Sequence, residues 1–365
     1  MADNDNMLQY KCPCCGGSIE FDSSLQKLRC PYCDTEFDVD TLRDFDSASR
    51  STADNDPNWE SYGAESGSGG WQDGETDNMV SYICRSCGGE VVGDANTAAT
   101  ICPFCGSNVI VTQKFAGELR PDYVIPFKID KEGAKAALKK FMSGKKLLPD
   151  SFTDENRIDS IQGIYVPFWL YDADVDASMS FMATRLSHWS DSSYHYTRTS
   201  HFQVLRGGRI AFDRVPVDGS KKMDDTYMEA LEPYNYSDMV DFATPYLAGY
   251  FADKYDVDAN TGAPRANERI KNSTAEAFRN TVKGYSSCVT TGTNISLSNQ
   301  NIKYALLPVW ILNTKYKDEM YTFAMNGQTG KFIGKLPVDR AKYWKYWCIV
   351  FGAAALIGTI ISFLL

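Results

Sequence analysis

Three patterns of apolar and polar residues divide the chain. From about residue 120 apolar positions recur at the periods of regular structure. In "DKEGAKAALKKFMSG", Ala134, Leu138 and Phe141 fall at helical spacing, Asp130 stands where an N-cap belongs, and Gly144 stands where a helix stops. "PDYVIPFKI" and "GIYVPFWLYDADVDASMSFMATRL" read as strands, the second as one or two. "SHFQVLRGGRIAFDRV" reads as a hairpin with Gly207-Gly208 at its turn. "YLAGYFADKYDVD" and "ANERIKNSTAEAFRNTVKGY" read as helices. The run from Ile302 closes with strands around Asn326-Gly327, in which Tyr321, Phe323 and Met325 alternate as on a half-buried strand. The expected body, residues 120–338, is α+β with a largely antiparallel sheet.

The second pattern is a polar one. Residues 43–80 are acidic, rich in Gly and Ser, and nearly free of aliphatics, so they predict a flexible tether in which Trp59, Tyr62 and Trp71 are isolated and solvated. The third is uniformly apolar. Residues 347–365 carry no charge, and nineteen residues at about 1.5 Å each nearly match a hydrocarbon layer of about 30 Å. Lys331, Lys335, Arg340, Lys342 and Lys345 precede this run, with Tyr343, Trp344, Tyr346 and Trp347 as an interfacial belt. The pattern predicts one transmembrane helix in the cell membrane, contact with the lipid bilayer, and the N-terminal bulk on the cytoplasmic side.

Within the body, "YVPFWLY" and "LLPVWIL" align Pro167 and Trp169 with Pro308 and Trp310. A diverged duplication and two independent core strands that follow a proline both account for this. In either case the tryptophans belong to the core.

Cysteine spacing carries the chemistry. Eight of the eleven cysteines form four Cys-x-x-Cys pairs: Cys12, Cys15, Cys30 and Cys33, then Cys84, Cys87, Cys102 and Cys105. The second set is the first shifted by 72 residues, and Gly16, Gly17, Asp22 and Pro31 align with Gly88, Gly89, Asp94 and Pro103, so this is an internal repeat. Two turns, each presenting two thiolates to one side, close a tetrahedral metal site. Each set predicts a zinc ribbon of the β-hairpin type, at residues 8–42 and 81–113. Such a unit is too small to fold on its apolar residues, so metal supplies its stability. The expected cofactor is Zn²⁺ in two structural sites, because four thiolates leave no position for water. Cys14 lies inside the first knuckle and reads as an inert neighbour, since Ser86 takes its place in the second. Cys288 and Cys348 are isolated and read as buried or membrane-embedded.

Charge narrows the function classes. The net charge is −10, and residues 11–40 hold three basic against six acidic side chains, which argues against a grip on nucleic acid. No Gly-rich phosphate loop, GxSxG or HExxH is present, and no catalytic residue is assigned. His188, His195 and His201 lack acidic or cysteine partners at ligand spacing and read as exposed. Asp172, Asp174 and Asp176 share one face of a strand and read as solvated.

The two ribbons, "CPCCGG…CPYC" and "CRSCGG…CPFC", followed by an α+β body and an apolar C-terminal run, resemble the bacterial TFIIB-type zinc-ribbon membrane proteins. Some of these are associated with phage-shock protein A-like and flotillin-like (SPFH) proteins. The resemblance implies an adaptor that recruits a protein of one of those types in envelope stress. The alternative is a zinc-ribbon protein that binds nucleic acid in replication or transcription.

Overall fold

The structure is a computed structural model. It describes residues 20–22, 27–31, 35–37, 59, 70–77, 79–94, 101–107, 110–114, 119–152, 154–317 and 319–364. The chain divides into two units. One comprises Met1–Glu60, Tyr171–Val215 and Ala263–Ile302; the other comprises Ser61–Leu170, Pro216–Gly262 and Lys303–Leu365. Strands β1 (Glu20–Asp22), β2 (Lys27–Arg29) and β3 (Glu36–Phe37) form a small antiparallel sheet in the first unit, with Glu20 opposite Arg29 and Leu28 opposite Phe37. The remaining strands belong to one eleven-stranded sheet.

One backbone motif occurs twice along the chain. In the first copy β7 (Tyr123–Val124) leads to Asp130, whose carboxylate accepts the N–H of Gly133 at 2.8 Å and caps α1 (Lys131–Met142). After α2 (Glu155–Asp159) comes the long strand β8 (Gln162–Ser190), which pairs with β9 (His195–Asp218). In the second copy β11 (Phe251–Asp253) leads to Asp258, which accepts the N–H of Thr261 at 2.8 Å and opens α4 (Ala259–Thr281). Then follow β12 (Ser287–Tyr316) and its antiparallel partner β13 (Glu319–Asn326), which in turn pairs with β14 (Phe332–Gly334). Between the copies lie α3 (Asp225–Leu231) and β10 (Val240–Asp241).

The hydrogen bonds match position for position. Trp169 Nε1 donates to Val257 O at 2.8 Å, and Trp310 Nε1 to Ile129 O at 2.9 Å. Gly219 N donates to Pro167 O at 2.8 Å, and Gly327 N to Pro308 O at 2.9 Å. Gly219 O accepts the N–H groups of Asp256 and Val257, as Gly327 O accepts those of Lys128 and Ile129. Each glycine lies against its tryptophan strand. A Cβ at Gly327 would meet Phe127 at 2.6 Å and Pro308 at 2.9 Å, so nothing larger fits. The recurrence of Pro-x-Trp in the sequence marks this repeat.

The copies exchange their short strands. β12 runs parallel to β7, with Ala305 opposite Tyr123, and β8 runs parallel to β11, with Ile164 opposite Phe251. The sheet order β10-β7-β12-β8-β11, followed by β5 at residues 90–94, therefore reads alike from both ends. At one end β10 sets Val240 opposite Val124. At the other, β5 (Glu90–Asp94) sets Val92 opposite Ala252. One face of this sheet buries Ile125, Ile164, Val166, Phe168, Leu307 and Val309. The other packs Trp310 and Leu312 on Ala134, Leu138 and Met142 of α1. Burial of such side chains is the main favourable term in the fold.

In the first unit β8 alternates, apart from the buried Ser180. Tyr171, Ala173, Val175, Ala177, Met179, Phe181 and Ala183 are buried. Trp59 lies edge-on to Tyr171, with ring centres 4.9 Å apart, and its Nε1 donates to Asn267 at 2.6 Å.

Several sequence expectations are corrected. The sheet is mixed, with parallel pairs at both long strands, and it dominates the body in place of a largely antiparallel α+β arrangement. Gly207 and Gly208 lie within β9, and the turn is formed by Asp191, which accepts the N–H groups of Ser193 and Tyr194 at 2.8 Å. "YLAGYFADKYDVD" forms a 3₁₀ turn and β11 in place of a helix. Trp59 is 4% exposed, so it is not solvated. Trp71 meets the Phe242 ring edge-on at 5.9 Å, beside Glu75, which pairs with Arg120 at 3.0 Å. Those residues of the expected tether are docked on a body. Cys288 is half-buried and Cys348 exposed.

The transmembrane expectation is also overturned. The C-terminal helix α5 spans Arg340–Leu364, and among the described residues no helix is long and apolar enough to cross a membrane. Arg340, Lys342 and Lys345 charge its first turns. The single-pass placement in the cell membrane falls with it.

Candidate metal centre

The second cysteine set lies on a hairpin of β4 (Met79–Cys84), β5 and β6 (Ile110–Lys114), with β4 between the others. Two knuckles of the same form carry the thiols. In the first, Gly88 N donates to Cys84 O at 2.8 Å and Cys84 N to Gly89 O at 2.8 Å. In the second, Gly106 N donates to Cys102 O at 2.9 Å and Cys102 N to Ser107 O at 2.8 Å. Gly88 and Gly106 sit at φ +69° and +70°, the left-handed region in which a side chain is strained. Gly89 is needed for another reason: a Cβ there would meet the Phe104 ring at 2.5 Å.

The four sulfurs converge within 4.8 Å of one another and can hold a metal ion. Cys84 Sγ lies 3.6 Å from Cys105 Sγ, and Cys87 Sγ 3.7 Å from Cys102 Sγ. Gly89 N donates to Cys87 Sγ at 3.4 Å. Burial pushes the thiols of Cys102 and Cys105 upward. Burial opposes ionisation of Cys84 too, but the N–H groups of Cys87 and Ser86 and the thiols of Cys105 and Cys87 outweigh it and bring Cys84 down to about 7. The site thus offers one easily ionised thiol beside two, Cys102 and Cys105, that keep their protons until a cation displaces them.

The body grips this hairpin. Asn313 Nδ2 on β12 donates to the carbonyls of Pro103 and Phe104 at 2.6 and 2.8 Å, and its Oδ1 accepts from Thr322. Gln162 Nε2 donates to Ile101 O at 3.1 Å, and Lys254 reaches Glu90 at 3.4 Å. Sequence reading missed Asn313, although an amide inside the apolar run "LLPVWILN" was a signal of a partner.

In the first cysteine set, Cys30 is buried and its N–H donates to Thr35 O at 2.9 Å, the bond made by Cys102 and Ser107 seventy-two residues later. Cys12, Cys15, Cys33 and Cys14 lie outside the described residues. Among the described residues no other group of three or more His, Cys, Asp or Glu side chains comes within metal-binding reach. His188, His195 and His201 are exposed. The aspartates of β8 have partners: Asp174 accepts from Asn299 at 2.6 Å, Asp176 from Arg209 at 3.0 Å, and Asp172 from the N–H of Arg214 at 2.7 Å.

Comparison with known proteins gives one informative match. The chain is 34% identical over 359 residues to the uncharacterized protein YdjG of Bacillus subtilis, covering 98% of each. The chain belongs to the YdjG family. No family model and no solved structure matches it.

Proposed function

We propose that this member of the YdjG family is a zinc-ribbon adaptor, in which two structural zinc ions shape contact surfaces for a protein partner. The observation that carries this reading is the closed set of four thiols on a hairpin fused to the body. Tetrahedral zinc at a Zn–S distance of about 2.3 Å has sulfur–sulfur edges of about 3.8 Å. The 3.6 and 3.7 Å separations suit it. When bound, zinc supplies charge neutralisation and a cross-link between knuckles. Cys84, Cys87, Cys102 and Cys105 would hold one ion. The repeat supports a second at Cys12, Cys15, Cys30 and Cys33. Four thiolates leave no place for a substrate, which favours a binding role over catalysis.

The partner class follows from the family resemblance: a phage-shock protein A-like or flotillin-like (SPFH) protein. The test is metal analysis of the purified chain followed by capture of purified partners of both types. About two zinc ions per chain are expected from the repeat, about one in C84S/C102S, and partner capture lost in that variant. A metal-free wild-type chain, or capture unchanged in the variant, would sink the reading.

A further inference from the structure

The two copies of the body motif differ in chemistry at one buried place. Where the first copy has Ile125, fully buried, the second has Asp253, 3% exposed. The two positions correspond, lying four residues before Ile129 and Val257, the carbonyl partners of the two tryptophans. The turns facing them differ in the same way. Asn326-Gly327-Gln328 is neutral: Asn326 accepts the N–H of Gln328 at 2.9 Å and donates to Leu231 O at 3.0 Å. Asp218-Gly219-Ser220 is acidic: Asp218 accepts the N–H of Ser220 at 3.1 Å, and Ser220 Oγ donates to Asp253. Isoleucine fills the same place in the same scaffold, so the fold does not require a carboxyl there.

Asp253 also occupies a junction. It pairs in register with Val91 of β5, the strand that joins the cysteine hairpin to the body. Its neighbour Lys254 reaches Glu90 on that strand. A charge on Asp253 has no cationic partner at salt-bridge distance among the described contacts, and burying an unpaired charge is costly.

We propose that Asp253 is a proton-operated latch: the seam between β5 and β11 is shut while the carboxyl keeps its proton, and opening the seam gives that proton up. The surroundings set the sign. Burial raises Asp253, the Ser220 hydroxyl and the N–H of Lys254 lower it, Asp256 raises it and Lys222 lowers it, with a net rise from 3.8 to about 8. Asp218 on the facing turn and Glu90 on β5 add further acidic groups around the junction. The closed form therefore holds a proton that the opened form releases above about pH 4. Opening becomes easier by about tenfold per pH unit through the interval up to about pH 8, then levels off.

Hydrogen exchange on the full chain with saturating zinc tests this. The protection factor of residues 90–94 is compared with that of residues 123–125, the first copy's counterpart of β11 with Ile125 in place of the acid, at pH 6, 7 and 8. Protection of 90–94 is expected to fall about tenfold per unit in wild type. It should stay level in D253N, which mimics the protonated acid, and in D253I, which copies Ile125; residues 123–125 should not respond in any of them. Parallel profiles in wild type and D253N overturn the proposal, whether or not D253I folds.

Discussion

Trp169 and Trp310 show how one side chain type can place a strand. Each indole buries its rings and spends its N–H on a carbonyl six residues past the start of a short parallel strand. Replacing either with Phe leaves that carbonyl without its donor, at a cost of roughly 1–3 kcal/mol. Because the environments correspond, the two substitutions should lower stability to urea by similar amounts; a loss at one position and none at the other would break the equivalence. The thiols make a different prediction. Cys102 and Cys105 hold protons tightly, so a metal must displace them, and apparent affinity should fall by at least about tenfold per unit as pH drops from 8 to 6. Competition with a chromophoric chelator measures it. At this scale the sequence was informative where chemistry is spelled by spacing, as in the cysteines and Pro-x-Trp. It was silent on Asp253, because one aspartate in "YFADKYDVD" looks like a solvated residue until burial is known.

The hairpin β4-β5-β6 is an element whose independence was misjudged. Its sequence reads as a free-standing metal module, yet β5 continues the body sheet and Asn313 holds the second knuckle from behind. Asn313→Ala removes the donor to two carbonyls. It should cost roughly 1–3 kcal/mol and speed metal loss to excess chelator, with Thr322→Val giving a smaller effect in the same direction. Unchanged release kinetics would mean that the knuckle holds its shape alone. Helix α1 was legible because cap, period and stop agree in one short window. β9 was misread because a Gly-Gly pair normally signals a turn. Here both glycines lie inside the strand, and a Cβ at either would make only ordinary contacts, so nothing in the packing explains the pair.

Across the whole molecule, metal and body are expected to melt together. Since the cysteine hairpin contributes strands to the main sheet, chelation should lower the Tm of the second unit by several degrees, by the linkage between ligand binding and folding. Scanning calorimetry with and without chelator tests this, and an unchanged main transition would show that the hairpin frays alone. The exchange of short strands was not readable from sequence, because local periodicity cannot say which of two similar strands a partner chooses. It also bears on biosynthesis. Tyr123 is paired by Asp241 on one side but finds its other neighbour only at Ala305, so a ribosome must translate most of the message before that second edge is covered. Truncated nascent chains that stop between the halves should be prone to sticking to one another, and a gene split there should yield two insoluble fragments that recover solubility when expressed together.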